Sequence, residues 1–149
     1  MNVRKRVYVA GPLFSQAERD FDERVAKVCE QLNLETFLPH RDVGLQVEGN
    51  AEHIFAADLR ALERAQLVVA NLDGADVDAG TAWEIGYAVA RGKPVLGIRT
   101  DRRVLEPWSS VNLMIEQSTF IVKSLDELRA ALLATDGVDA TTPRPADNR

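Results

Sequence analysis

The sequence predicts a single α/β domain in which helices cover both faces of a five-stranded, mainly parallel sheet. Short apolar runs that suit buried strands alternate along the chain with longer stretches whose apolar residues recur every three or four positions. The length of 149 residues is that of one domain, and a chain with 46% hydrophobic and 28% charged residues has an ordinary globular composition.

The first half of the chain predicts two strands and two helices. The apolar run at residues 7–10 is typical of a strand. Residues 16–32 predict a helix, because their apolar side chains recur at spacings of three and four: Phe21, Val25, Val28 and Leu32. A short strand at 36–38 ends at a proline, the polar stretch 40–50 predicts a loop, and the second helix occupies 51–65.

The second half predicts three further strands. Residues 67–70 are continuously apolar, as in a strand covered on both faces, and therefore belong in the middle of the sheet. The other predicted elements are an acidic loop at 71–79, a helix at 80–91, a strand at 95–98, a short helix at 110–117, a strand at 119–122 and a helix at 125–134. This pattern indicates a flavodoxin-like or Rossmann-like fold, whose ligands bind beyond the carboxyl ends of the strands.

Composition narrows the possible functions. Residues 1–134 form the predicted domain, and 135–149, which are small, polar and proline-bearing, predict a disordered tail. With 18 Lys+Arg against 23 Asp+Glu the net charge is −5, which argues against a nucleic-acid binder. One cysteine and two histidines exclude a disulfide scaffold and leave few ligands for structural zinc. No stretch approaches the ~20 apolar residues of a membrane span, so we expect a soluble, cytoplasmic protein.

The loop after the first strand argues against nucleotide cofactors. It reads A-G-P-L-F at 10–14, and neither G-x-G-x-x-G nor G-x-x-x-x-G-K-[ST] occurs anywhere in the chain. We therefore expect no cofactor and no metal.

Four acidic side chains, Asp73, Asp76, Asp78 and Glu84, follow the third strand within twelve residues. Asp73 and Asp76 suit turns, and Thr81 with Glu84 fits a capping box, in which the glutamate would bind the first free N–H of the helix. The functional alternative is that Glu84 is an anion in a partly dry cleft, stabilised by the helix dipole, from which it could attack a carbon atom. The sequence is compatible with either role.

Other candidates lie elsewhere in the chain. Asp58 is on the apolar side of its helix, where an unpaired carboxylate is costly, unless its head reaches water at the border. Tyr8 suits the core, but its buried hydroxyl would need a partner, such as a carboxylate at the ligand edge. Phe14 and Trp83 could pack against the core or sandwich a flat heterocycle.

An ordered set of short motifs runs through the chain. They are V-Y-V-A-G-P at 7–12, P-H-R-D at 39–42, D-L at 58–59, L-V-V-A-N-L-D-G at 67–74, D-V-D-A-G-T-A-W-E-I-G-Y-A at 76–88, G-K-P-V at 92–95 and V-N-L-M at 111–114. Each motif is weak alone. Together, up to about residue 122, they resemble the nucleoside 2-deoxyribosyltransferase family.

The resemblance implies roles for named residues. Glu84 matches the nucleophile that attacks C1′ of a 2′-deoxynucleoside and holds the sugar as a covalent ester, and Tyr8 matches a tyrosine that orients it. Asp58 and Asp78 match aspartates that contact base and sugar, one of which would protonate the departing base. A second base then gives transfer, whereas water gives hydrolysis.

The resemblance also implies the partners. They are a deoxynucleoside, a free nucleobase and further copies of the chain, because Asn112 and Met114 match residues that reach into a neighbouring subunit's site. A homo-oligomer with shared active sites follows, without nucleic acid or membrane. The substrate-binding candidates are Gly11, Pro12, Phe14, Asp42, Gly80, Trp83, Asn112 and Met114.

Two other functions compete with deoxyribosyl transfer. Hydrolases of 2′-deoxynucleoside 5′-monophosphates resemble this family too, but they carry a serine where this chain has Asp78, and an aspartate repels a phosphate dianion. A receiver-like signalling domain would use Asp73 as the phosphate acceptor, but it needs an acidic pair after the first strand, where this chain has none. The acidic ligand edge favours a neutral nucleoside.

Overall fold

A computed structural model describes residues 4–134 of the chain. The strands are β1 (Arg6–Ala10), β2 (Glu35–Phe37), β3 (Leu67–Asn71), β4 (Val95–Ile98) and β5 (Phe120–Val122). The helices are α1 (Gln16–Gln31), α2 (Pro39–Asp42), α3 (Ala51–Arg64), α4 (Ala79–Ala90), α5 (Leu113–Ser118) and α6 (Leu125–Ala134). The tail predicted at 135–149 lies outside the described residues.

The five strands form one sheet in the order β2-β1-β3-β4-β5, and every neighbouring pair is parallel. This confirms the predicted fold class and the central position of β3. From β1 the chain moves outward to β2 on one side, and from β3 it moves outward to β5 on the other. The strand order therefore reverses between β1 and β3, which is where such sheets bind ligands.

Successive side chains of β1 point to opposite faces of the sheet, and each face has its own hydrophobic core. Val7 and Val9 pack with α1 and α6 on one face, whereas Tyr8 and Ala10 face the layer built from α3 and α4. Tyr8 is fully buried there. The period of a strand thus directs the candidate tyrosine toward the two helices that carry Asp58 and Glu84.

The main departure from the predicted elements is the short helix α2, which replaces the first part of the loop predicted at 40–50. Pro39 occupies the first helical position, where its fixed φ suits a helix and its missing N–H is not needed. The Asp42 carboxylate accepts a hydrogen bond of 2.8 Å from the backbone N–H of Leu38, which closes the turn. Helix α5 begins at Leu113, later than predicted, because the Asn112 side chain caps it.

None of the helices within residues 4–134 is long and apolar enough to cross a membrane.

Candidate active site

A cleft of about 1040 Å³ lies beside the carboxyl ends of β1 and β3. Its walls come from the loop after β1, the loop 43–50, the inner side of α3 and the beginning of α4. Three of the predicted catalytic residues, Asp58, Asp78 and Glu84, line it, although they are separated in the chain by up to twenty-six positions. The switch point of the sheet therefore coincides with a cluster of carboxyl groups.

Glu84 extends from α4 into this cleft, where the residue is half-buried. Burial and, to a lesser extent, the charges of Asp58, Asp78 and Asp22 together raise the pKa of its carboxyl to about 8. The hydroxyl of Tyr8 acts in the opposite direction and lowers the pKa. A carboxylate that is costly to ionise and that faces open space in a cleft is a candidate for chemistry rather than for structural support.

The capping-box alternative for Thr81 and Glu84 is wrong. Asp78 caps α4 instead, because its Oδ2 accepts hydrogen bonds from the backbone N–H of Thr81 at 2.9 Å and from the Thr81 hydroxyl at 3.0 Å. Thr81 is thus the third helical residue and Glu84 the sixth. Glu84 lies beyond the first turn, so the helix dipole stabilises its anion less than predicted, and its side chain is free to enter the cleft.

Tyr8 lies beneath the cleft. Its ring stacks on Phe37 with centroids 5.5 Å apart. Within residues 4–134 its buried hydroxyl makes no hydrogen bond of ordinary geometry, although it is near enough to Glu84 to influence that carboxyl. Burial and the charges of Glu84 and Asp58 raise the pKa of the Tyr8 phenol far above its usual range. Tyr8 therefore keeps its proton and can donate it in a hydrogen bond to the Glu84 carboxylate.

Asp58 faces the same cleft from α3. Its Oδ1 is buried and has no hydrogen-bond partner among the described residues, and burial raises the pKa of its carboxyl to about 6. An Asp carboxyl with a pKa near neutrality can carry a proton that a leaving group needs. The structure thus places a candidate acid and a candidate nucleophile on facing helices.

Asp22 on α1 is a buried carboxyl that the sequence analysis missed. It is 0% exposed, and its Oδ1 accepts a 2.8 Å hydrogen bond from the amide of Asn71 at the end of β3. A signal for it exists in the sequence. Asp22 precedes the buried Val25 by three residues and Ala26 by four, so it lies on the apolar face of its helix. Asp22 thus shows the same sequence pattern as Asp58, a carboxyl on the apolar face of a helix.

Four of the predicted substrate-binding residues line the cleft: Gly11, Phe14, Gly80 and Trp83. Phe14 is 81% exposed and Trp83 is 50% exposed, so both offer aromatic surface to a ligand. Trp83 also stacks on Tyr87, with centroids 5.4 Å apart, and meets Phe55 edge-on at 5.9 Å. Its indole is therefore held in place by neighbours.

The other four predicted substrate-binding residues are not part of this lining. Pro12 is buried. Asp42 lines a separate, smaller cleft of about 490 Å³ between β2 and α3. Asn112 caps α5 through a 2.9 Å hydrogen bond from the N–H of Met114, and both residues are exposed away from this protomer's cleft. Within a single copy of the chain none of these four residues lines the cleft that Glu84 faces.

The acidic loop after β3 contributes less charge to the cleft than its composition suggests. Asp73 accepts hydrogen bonds from the backbone N–H groups of Thr100 at 2.6 Å and Asp101 at 2.8 Å, and Asp76 bonds the N–H of Val77. Both aspartates therefore hold the loop, as the turn interpretation predicted. The carboxyls that line the cleft come instead from α3, α4, the cap of α4 and the loop 43–50. In the described part of the chain, no three His, Cys, Asp or Glu side chains are grouped to hold a metal ion.

Comparison with known proteins is consistent with this geometry. The family model described as nucleoside 2-deoxyribosyltransferase matches residues 7–138. A solved structure of a conserved protein from Enterococcus faecalis V583 superposes with a TM-score of 0.77 at 27% identity, covering 89% of this chain and 99% of that one. No curated protein sequence matches the chain.

Two further solved structures share the fold. A 2-deoxyribosyltransferase from Bacillus psychrosaccharolyticus has a TM-score of 0.74 at 24% identity, over 90% of this chain and 97% of that one. A CMP N-glycosidase from Clostridium botulinum is more distant, with a TM-score of 0.52 at 19% identity over 88% of this chain and 99% of that one.

Proposed function

The chain belongs to the nucleoside 2-deoxyribosyltransferase family, and from this premise we propose that it transfers 2-deoxyribose from a deoxynucleoside to a free nucleobase. The observation that carries the proposal is the position of Glu84. Its carboxyl faces the cleft at the switch point of the sheet, beside the buried Tyr8 hydroxyl and opposite Asp58. In this proposal α4 supplies the nucleophile Glu84, β1 supplies Tyr8 to orient it, and α3 supplies the acid Asp58.

In the first step the Glu84 carboxylate attacks C1′ of the deoxynucleoside. A bond forms between a Glu84 oxygen and C1′, while the bond between C1′ and the base nitrogen breaks. Asp58 gives its proton to the departing base, which leaves neutral. The sugar remains as an ester of Glu84, and the one negative charge has moved from Glu84 to Asp58.

In the second step a nitrogen of the incoming base attacks C1′ from the side that the first base left. The bond from C1′ to Glu84 breaks, the Asp58 carboxylate takes the proton of the incoming base, and the enzyme returns to its starting state. Two inversions give net retention at C1′. Water in place of the second base gives free 2-deoxyribose.

This reaction needs the proton on Asp58 and the charge on Glu84. The two carboxyls act as a pair with pKa values of about 6 and about 8, so the pair holds a single proton between these values. Because Glu84 has the higher pKa, the shared proton resides mostly on Glu84 in the resting enzyme, and the reactive form with the proton on Asp58 is the less populated one. The hydrogen bond that Tyr8 can donate to a Glu84 carboxylate stabilises the reactive form and raises its population.

A hydrolase of deoxynucleoside 5′-monophosphates is the second candidate function, because the CMP N-glycosidase shares the fold. The charged residues of the cleft favour a neutral substrate. Among residues 4–134, Arg19 is the one basic residue in its lining, and it donates a 2.8 Å hydrogen bond to the carbonyl of Leu13. The acidic lining residues are Glu48, Asp58, Asp78 and Glu84. A phosphate dianion would meet repulsion from most of this wall.

Base exchange tests the proposed function directly. We expect a mixture of the protein, a 2′-deoxynucleoside and a different free base to yield the exchanged deoxynucleoside, measured by liquid chromatography. A parallel reaction with the deoxynucleoside 5′-monophosphate tests the second candidate. Release of base from the monophosphate alone would contradict transfer, and no reaction with any purine or pyrimidine pair would contradict both functions.

We also propose a homo-oligomer in which Asn112 and Met114 of one protomer complete a neighbour's cleft. Both residues lie outside their own cleft, and Met114 is 72% exposed next to the exposed Leu113. Light scattering should therefore give the mass of a dimer or a larger assembly under assay conditions, and a fully active monomer would contradict shared sites. A role in nucleoside salvage and a cytoplasmic location stay predictions.

A further inference from the structure

Asp22 is a buried carboxyl that the two chemical steps above do not use. We propose that Asp22 is a positioning residue that seats the loop after β1 and whose charge acts on Glu84 from behind that loop. Its kinetic consequence rests on the proposed function, whereas its electrostatic consequence can be measured without any turnover.

Gly11 shows how closely Asp22 supports the cleft. A Cβ atom at position 11 would lie 2.5 Å from Asp22 Oδ1 and 2.6 Å from Oδ2, closer than carbon and oxygen can approach. The carboxyl therefore occupies the space that a side chain at position 11 would need. Because Gly11 itself lines the cleft, Asp22 packs directly behind its wall.

The charged groups that act on Asp22 are themselves acidic. Glu18 lies on the same helix, while Asp73 and Asp78 come from the loop between β3 and α4. The amide of Asn71 is the neighbour that stabilises the anion, and Oδ2 has no partner within residues 4–134. Glu84 on α4 also feels the charge of Asp22. Asp22 thus belongs to the same group of mutually repelling carboxyls as the proposed nucleophile.

Burial raises the pKa of Asp22 to about 7. The folded state therefore binds a proton here more tightly than the unfolded state does, so the stability that Asp22 contributes is present at acid pH and is lost as the pH rises through about 7. A protonated Asp22 no longer repels a charge on Glu84. Near neutral pH, uptake of a proton by Asp22 makes the Glu84 carboxylate easier to form.

Thermal stability tests whether the buried charge of Asp22 destabilises the folded protein at high pH. We expect Asp22→Asn, which keeps an oxygen for the Asn71 amide, to raise Tm by roughly 3 °C or more at pH 8 and much less at pH 5. The matched control is Asp20→Asn, an exposed aspartate on the same helix whose side chain bonds only Gln16 in the described structure. Asp22→Ser removes the charge with less volume, should the asparagine variant fail to fold.

A double-mutant cycle decides whether the charge of Asp22 acts on Glu84. The gain in Tm from Asp22→Asn at pH 8 should be smaller in a Glu84→Gln background, because the repelled charge is then absent. Equal gains in the two backgrounds would overturn the proposal. No substrate is needed, so this result is independent of whether base exchange occurs.

In an active enzyme, the pH profile of kcat/KM for base exchange provides the second readout. Asp22→Asn should move the profile toward lower pH, because Glu84 then loses its proton more readily, while Asp20→Asn should leave it in place. A lower kcat with an unmoved profile would show a structural role only and would overturn the positioning role.

Discussion

Replacing Glu84 with glutamine should lower the rate of base exchange by at least roughly 10³-fold, because an amide cannot form the sugar ester. Glutamine keeps the size of the side chain and an oxygen to which Tyr8 can donate. Glu84 has a raised pKa of about 8, so the wild-type chain loses stability as the pH rises through that value. A neutral glutamine avoids this loss, and the variant should be at least as stable as the wild type at pH 8.

Two measurements test whether Glu84 is the nucleophile that forms the sugar ester. Chromatography gives the exchange rate for the wild type, Glu84→Gln and the control Glu52→Gln, an exposed glutamate at the beginning of α3. Intact-mass spectrometry of the wild type mixed with a deoxynucleoside, without an acceptor base, should show the added mass of one deoxyribosyl group. Glu84→Gln should show none. An active glutamine variant would mean that another group attacks C1′.

The central elements of the fold could be predicted because their sequence patterns are strong. Residues 67–70 are apolar without interruption, and such a short run is typical of a strand covered on both faces. The structure places this strand in the middle of the sheet. Its position then determines where the strand order reverses, and hence where the cleft lies.

The beginning of α4 could not be predicted as securely, because two capping residues compete within four positions. Thr81 and Glu84 fit the capping-box pattern, but Asp78 caps the backbone one turn earlier. The choice between them depends on the path of the loop from β3, which the hydrogen bonds of Asp73 to the residues after β4 hold in place. A contact between distant segments thus helps to determine where α4 begins and where Glu84 lies in it.

The position of the negative charges around the cleft could not be predicted from the sequence either. The sequence places Asp73 and Asp76 beside Asp78 at the predicted ligand edge, and it offers turn formation as the alternative role of the first two. Backbone N–H groups bind the first two, whereas Asp22, fifty-six residues before Asp78, lies directly behind the cleft wall at Gly11. Which carboxylates share a site depends on the order of strands rather than on spacing in the chain.

Replacing Asp58 with asparagine should slow exchange by roughly 10²–10⁴-fold if Asp58 is the acid that protonates the departing base. The loss should depend on the leaving group. A base that departs readily as an anion needs little help, so its deoxynucleoside should lose less rate than one with a more basic leaving nitrogen. Asp20→Asn is again the exposed control. An equal loss for every leaving group would indicate that Asp58 only binds the base.

The pH dependence of kcat/KM gives an independent criterion for the same role. The wild type needs exactly one proton on the pair of Asp58 and Glu84, so its rate should be highest between about pH 6 and about pH 8. Below this range the nucleophile is protonated, and above it the acid has lost its proton. Asp58→Asn has no acid to lose, so the decline at high pH should disappear and only the rise with ionisation of Glu84 should remain. A bell-shaped profile that persists in the variant would assign the acid to another carboxyl of the cleft. Asp78 would then be the first candidate, because it also lines the cleft.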